Sequence, residues 1–410
     1  MIRPLRDIIE SKSCNYYYAA YAANAKLALG SVQMDKMVLD DTFADITTTL
    51  NESMACLGLI SLSTVENQTQ DGHCEQALYN LCKSIEGFRL SCKRLFEFIS
   101  EKTKEALQLE NEPFKTPPRQ EDLVTPTDFG QWNSIVTCIN DVLQRCSETL
   151  LTNLCAAKKT CRTKRTATQD DIMTSLVDIM VLLARMQFSI KDEDSFSQAY
   201  EYLSTAEQMC AEKEFTSGYR WLSGSYYNLG TAMIKAEMYS QAIYPMRKSS
   251  STLEKDTERA NSDEGRLQLC KRYEILGICC QKTKRFDDAI SAFRLALKRI
   301  PASEIKRFVN NADTTAVSTV MEQDSLIPKL IDRFLRASVI DPEQESIHFA
   351  SEYINLSALD PIQKCFVYEC ELKVWHLLSL KMKLYKYELF IIERLLQMYN
   401  ATKYPIRRAR

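Results

Sequence analysis

The stretch Tyr219-Arg-Trp-Leu-Ser-Gly-Ser-Tyr226-Tyr-Asn-Leu229-Gly230-Thr-Ala-Met233 is followed by Tyr239-Ser-Gln-Ala242, Met246 and Ser249. A second stretch answers it: Cys270-Lys-Arg-Tyr273-Glu-Ile-Leu276-Gly277-Ile-Cys-Cys280, then Phe286-Asp-Asp-Ala289, Phe293, Ala296 and Pro301. In both, a bulky residue stands three and four positions before Leu-Gly, and an Ala follows the Gly by twelve. This spacing predicts a pair of helices in each stretch, with the Gly of the first helix leaving room for the second. The expected partners are Ala242 for Gly230 and Ala289 for Gly277. Pro301 is expected to end the second hairpin.

The arrangement is the tetratricopeptide pattern, whose repeat is about 34 residues long. Here the two glycines are 47 apart, and the excess falls on the polar and charged run Ser249 to Asn261. The expected fold is therefore all-α, an α-solenoid of irregular helical hairpins that is TPR-like in its middle, with an ordinary helical bundle as the bland alternative. Its structural signature is Tyr226, Leu229, Gly230, Ala242, Tyr273, Leu276, Gly277, Ala289, Phe293, Ala296 and Pro301. Residues 172 to 209 read as a poorer third hairpin. Ile172, Leu176, Ile179, Leu182, Leu183 and Met186 line one face of its first helix, and Ala199, Leu203 and Ala206 lie in its second. Ser195-Phe-Ser-Gln198 has the form of a capping box.

Composition agrees with a helical chain. Of 410 residues only 10 are Gly and 11 are Pro, so tight turns and glycine-rich phosphate loops are scarce. Three histidines, His73, His348 and His376, lie far apart, which excludes a His-rich metal site. No catalytic residue, metal ligand or cofactor site is assigned, and no small-molecule substrate is expected. Fifty-two Lys and Arg balance 54 Asp and Glu, which gives no global attraction to nucleic acid or acidic membrane. The 15 cysteines lack a C-x-x-C pair and read as reduced thiols packed in an intracellular core. The opening Met-Ile-Arg-Pro-Leu-Arg-Asp has no apolar signal-peptide region, and no apolar run reaches membrane-spanning length.

Four segments follow from pattern. Residues 1–110 read as long helices, over Tyr16 to Leu29, Thr42 to Leu62 and Glu75 to Leu107. Residues 111–131 hold four prolines and read as a loop or linker. Residues 132–301 carry the TPR-like hairpins, opening with a helix from Trp132. Residues 302–410 read as further helices over Asp324 to Leu335, Pro342 to Leu356 and Asp360 to Lys383. The last helix, Tyr387 to Tyr399, is expected to turn Leu389, Ile392, Leu395 and Leu396 inward. The ending Lys403-Tyr-Pro-Ile-Arg-Arg-Ala-Arg410 reads as an interrupted array.

The run Tyr219 to Gly230, the run Cys270 to Gly277 and the closing Tyr404-Pro-Ile-Arg-Arg-Ala-Arg410, in that order, resemble fungal-type separase over roughly residues 170 to 410. Separase is the large cysteine protease that opens cohesin rings. The resemblance implies the non-catalytic helical scaffold of a larger enzyme, in contact with a securin-like inhibitor and a cohesin subunit, and a cytoplasmic and nuclear location. The family's protease site has a His followed by Gly; here His73, His348 and His376 are followed by Cys74, Phe349 and Leu377. The alternative is a free-standing TPR adaptor. A chaperone-tail clamp is disfavoured, because Asn228 and Lys235 suit one but Ile275 stands where a second Asn is needed.

Two further signals stand apart. Lys115-Thr116-Pro117-Pro118-Arg119 fits proline-directed kinases and makes Thr116 a candidate phosphosite, against the simpler reading of Thr-Pro as a loop. Lys158, Lys159, Arg162, Lys164 and Arg165 crowd five positive charges into eight residues. They read as a nuclear-import or phosphate-facing patch, or as a solvated loop between helices.

Overall fold

The computed structural model describes residues 16–40, 46–63, 72–111, 126–160, 167–190, 192–314, 326–339, 349–357, 359–382 and 385–402. Among them the fold is all-α, with fifteen α-helices, one short 3-10 turn and no strand. The chain forms two compact units, residues 1–221 and 222–410.

The first unit contains α1 (Tyr16–Leu39), α2 (Thr47–Ser63), α3 (Gly72–Asn111), α4 (Pro126–Thr160), α5 (Ala167–Phe188) and α6 (Glu193–Glu212). Helix α1 packs on α2 and α3, and both of these pack on α4, so four helices close a ring. Leu27 and Met34, Leu50 and Leu57, Ile85 and Phe88, and Leu143 and Leu150 are the buried residues these helices contribute. The proline-rich segment thus connects helices of one bundle, and the helix after it begins at Pro126, ahead of Trp132. Proline is favoured at a first helical position because its missing N–H has no intrahelical partner there. Helices α5 and α6 pack as a hairpin, with Leu176, Leu183, Ala199, Leu203 and Ala206 buried. Its cap differs from the expected Ser195 box. Asp192 is the N-cap; its Oδ1 accepts from the Ser195 backbone N–H at 2.7 Å and its Oδ2 from the Ser195 hydroxyl at 2.9 Å. The carboxylate reaches the free N–H groups first and draws strength from the helix dipole. These hydrogen bonds hold its pKa below the ordinary value.

The second unit contains most of α7 (Gly218–Lys235), then α8 (Tyr239–Lys255), α9 (Thr257–Asn261), α10 (Asp263–Lys282), α11 (Phe286–Arg299), α12 (Ala302–Thr314), α13 (Leu326–Val339), α14 (Pro361–Met382) and α15 (Tyr385–Thr402). It is built as an α-solenoid: α10 packs on α8 and α11, α13 on α11 and α14, and α15 on α14. The 13-residue excess between the repeats is helical. It lengthens α8 to Lys255 and adds the single turn α9.

Two expectations for residues beyond Pro301 are corrected. Phe349–Leu356 does not continue a helix. Its Ala350 and Ser351 N–H groups donate to the buried Glu371 carboxylate of α14 at 2.7 and 2.9 Å, which holds a 3-10 turn at Ala350–Glu352 in place of an α-helical one. On α15 the buried residues are Ile391 and Leu395, whereas Leu389 and Leu396 are exposed. Apolar residues surround this helix, so periodicity alone does not select the face; packing on α14 does.

Candidate interaction face

The two signature hairpins are near copies at an offset of 47. Tyr226 and Tyr273, Leu229 and Leu276, Ala242 and Ala289, and Met246 and Phe293 are buried pairs. So are Ser249 and Ala296. Their turns match bond for bond. The Met238 N–H donates to Met233 O at 2.9 Å and the Arg285 N–H to Cys280 O at 2.8 Å, while Glu237 and Lys284 both sit at φ 61°. This is a Schellman ending with a charged residue where glycine is usual.

The glycines do their work one helical turn beyond the expected contact. A Cβ added to Gly230 would lie 2.8 Å from Met246 Cε and 2.9 Å from its Cγ. One added to Gly277 would lie 2.5 Å from Phe293 Cε1. The bulky residue four positions after the Ala therefore covers the Gly, because a helix presents i and i+4 on one face. Pro301 ends the second hairpin at its Ile300 C-cap, and its carbonyl accepts from Glu304 and Ile305 N–H to open α12.

This packing leaves one face of each first helix toward solvent. On α7 it carries Asn228, Thr231 and Lys235; on α10, at the same offsets, it carries Ile275, Ile278 and Lys282, with Lys271 one turn earlier. Asn228, Lys235, Lys271 and Lys282 are exposed, and Thr231, Ile275 and Ile278 are half-buried. The Lys282 ammonium lies 5.9 Å from the Tyr239 ring centroid. Arg272, on α10, ties the two hairpins together. Its Nη1 donates to Ser249 O at 2.8 Å, and its guanidinium lies 5.4 Å from the Tyr227 ring centroid. Burial pulls the Arg272 pKa down to about 10. The sequence reading weighed Asn228, Lys235 and Ile275 but missed Lys271, Ile278 and Lys282. The 47-residue offset that relates them was the available signal.

The sites outside the repeats divide. His376 Nδ1 lies 2.7 Å from Glu388 Oε1 on the surface of the α14–α15 pair. Burial raises the thiol pKa of Cys82 and Cys270 to about 12 and of Cys279 to about 11, which opposes thiolate formation at neutral pH. Thr116, His348, Arg162, Lys164, Arg165 and Tyr404 to Arg410 lie outside the described residues, as do the side chains of His73, Lys158 and Lys159. Among the described residues no helix is long and apolar enough to cross a membrane.

No protein-family model matches the chain, and no curated protein matches it. Among solved structures, a circular tandem repeat protein with novel repeat topology and enhanced subunit contact surfaces aligns over 99 % of this chain and 98 % of its own. The TM-score is 0.32 at 12 % identity, a likeness too distant to carry an argument.

Proposed function

We propose that the chain is a protein-interaction scaffold, the helical part of a separase-like protein that holds a securin-like inhibitor and a cohesin subunit. The observation that carries the scaffold reading is the tandem of matched hairpins. Their buried faces are consumed by packing, while the α7 and α10 faces remain open and carry Lys235, Lys271 and Lys282 around Ile275 and Ile278. Such a surface suits a peptide with acidic and apolar side chains. The separase assignment rests on the sequence resemblance at Tyr219 to Gly230, Cys270 to Gly277 and Tyr404 to Arg410.

The test is fluorescence anisotropy of the full chain with labelled securin-like and cohesin-subunit fragments from the same cells. Binding that weakens at least about tenfold, or 1.4 kcal/mol, in a Lys235→Glu, Lys271→Glu, Lys282→Glu variant is expected. Absence of binding to both fragments overturns the partner assignment. Sequencing the transcript past the Arg410 codon separates this reading from a free-standing adaptor: a downstream His-Gly and Cys protease region supports it, and an immediate stop codon refutes it.

A further inference from the structure

The joint between the two signature hairpins gathers positive charge and hydroxyl groups that the protein does not answer. Arg272 on α10 is buried, and its one hydrogen bond to the described residues runs from Nη1 to Ser249 O on α8, with no carboxylate paired to it. Arg259 on α9 is half-buried, and its Nη2 donates to Gln268 Oε1 at 3.3 Å. Gln268 stands one turn before Arg272 on the same face of α10, so the two guanidinium groups are neighbours. Gly265 makes this approach possible, because any side chain there would collide with the Arg259 carbonyl. Of the acidic residues beside Arg259, Asp256 caps α9 by accepting from the Arg259 N–H at 3.3 Å, and Glu258 is exposed. A second observation comes from α8. Ser249 and Thr252 are fully buried, and among the described residues neither Ser249 Oγ nor Thr252 Oγ1 has a hydrogen-bond partner. Helical side chains lean toward the N-terminus, so Thr252 stands over the Ser249 carbonyl that Arg272 grips. A buried charge and buried hydroxyls left without partners are costly, and both costs fall at one place.

We infer that this joint is a phosphate-binding site, in which Arg272 and Arg259 hold the anion and the Ser249 and Thr252 hydroxyls donate to it. The chemistry selects phosphate over a carboxylate. Two guanidinium groups match a phosphate near the dianion in charge, and their planar forks bind its oxygens in pairs. The two hydroxyls add donors that only a group with a third and fourth oxygen can use. The second hairpin supplies an internal contrast: Ala296 stands where Ser249 stands in the first, so the hydroxyl is not a requirement of the repeat packing. With no anion beside it, burial and then the Arg259 charge pull the Arg272 pKa down to about 10, and a bound phosphate would oppose both effects. The Tyr227 ring, 5.4 Å from the Arg272 guanidinium, holds that group in place from the α7 side. Bound phosphate would therefore lock the first hairpin to the second.

Calorimetric titration of the full chain with inorganic phosphate, in chloride buffer of constant ionic strength, tests this. Wild type is expected to bind one phosphate with a Kd on the order of 0.1–1 mM and to melt at a higher temperature as phosphate is added. Arg259→Gln, at a half-buried position, is expected to weaken binding at least about tenfold, and so is the double variant Ser249→Ala, Thr252→Val. Without phosphate the double variant should melt at or above the wild-type temperature, because it removes two unpartnered hydroxyls; circular dichroism shows that each variant is folded. Arg336→Gln, which removes an exposed arginine paired with Asp332 at 2.8 Å, is expected to leave binding unchanged. A second titration, with N-acetylphosphoserine amide, identifies the source: binding comparable to phosphate assigns the site to a phosphorylated side chain, and its absence beside phosphate binding assigns it to the free ion. A wild type that binds neither probe at about ten times the expected Kd overturns the proposal. So does a folded Arg259→Gln or double variant that binds as wild type, or an Arg336→Gln variant that loses binding equally. No securin-like or cohesin fragment enters the experiment, so its failure leaves the scaffold reading standing.

Discussion

Gly277→Ala isolates the contact on which the second repeat depends. The new methyl would stand 2.5 to 2.7 Å from three carbons of the Phe293 ring, closer than carbon atoms pack. Phe293 is fully buried between α10 and the body of α11, so its flat ring has nowhere to swing. Overpacking of this kind costs about 1–3 kcal/mol, and a rigid ring belongs in the upper half of that range. Alanine returns about 1 kcal/mol of helix propensity. The net loss is about 1–2 kcal/mol, a fall in Tm of roughly 3–6 °C for a unit of this size. Gly230→Ala provides the control in the same protein. There the methyl meets Met246 at Cε and Cγ, 2.8 and 2.9 Å; the flexible thioether can move its end aside but the Cγ contact remains, so the expected loss is smaller than at Gly277 without vanishing. Thermal and urea unfolding of both variants, followed by helical circular dichroism, gives the comparison. Adding Phe293→Leu to Gly277→Ala should recover part of the loss as a coupling of about 1 kcal/mol. A Gly277→Ala variant as stable as wild type, or less affected than Gly230→Ala, refutes the close-approach argument.

Lys284→Gly should raise stability by up to about 1 kcal/mol, because φ 61° costs a side-chain-bearing residue what glycine does not pay; a lower Tm than wild type contradicts this. Burial raises the Glu371 pKa above the ordinary glutamate value against the pull of its hydrogen bonds. The folded state therefore holds that proton more tightly than the unfolded one, and this group's contribution falls as pH rises from the unfolded value through the folded one. Glu371→Gln should flatten that part of the pH–Tm profile between acid and neutral pH, and an unchanged slope refutes it. Asp192 behaves oppositely. Its lowered pKa gives stability above the ordinary aspartate value that is lost as pH falls through the folded value, so Asp192→Ala should lower Tm at neutral pH and converge with wild type in acid.

Much of the architecture is present in the order of residues alone. Scarce Gly and Pro, the Leu-Gly and Ala offsets, and repetition at 47 residues determine an all-α fold with two matched hairpins, because a helix repeats its faces every three to four residues whatever lies around it. The same offset, carried from Asn228 and Lys235 to Ile275 and Lys282, is enough to draw the candidate face. Which neighbour fills a face is a different matter. The sequence cannot choose between Ala242 and Met246 over Gly230, since both lie on the same side of α8. Nor can it choose among Leu389, Ile391, Ile392 and Leu395 on a helix that is apolar nearly all round. It equally misses that residues on both sides of the proline-rich segment close one ring. Those outcomes belong to tertiary structure, because burial is decided by the helix across the contact. Trp375 and Glu371 on α14 and Phe88 on α3 are examples, and each arrives from a distant part of the chain. Tyr21, Val32 and Leu39 of α1 make the same point in reverse: they are apolar in the sequence, but only the packed bundle shows that they face outward.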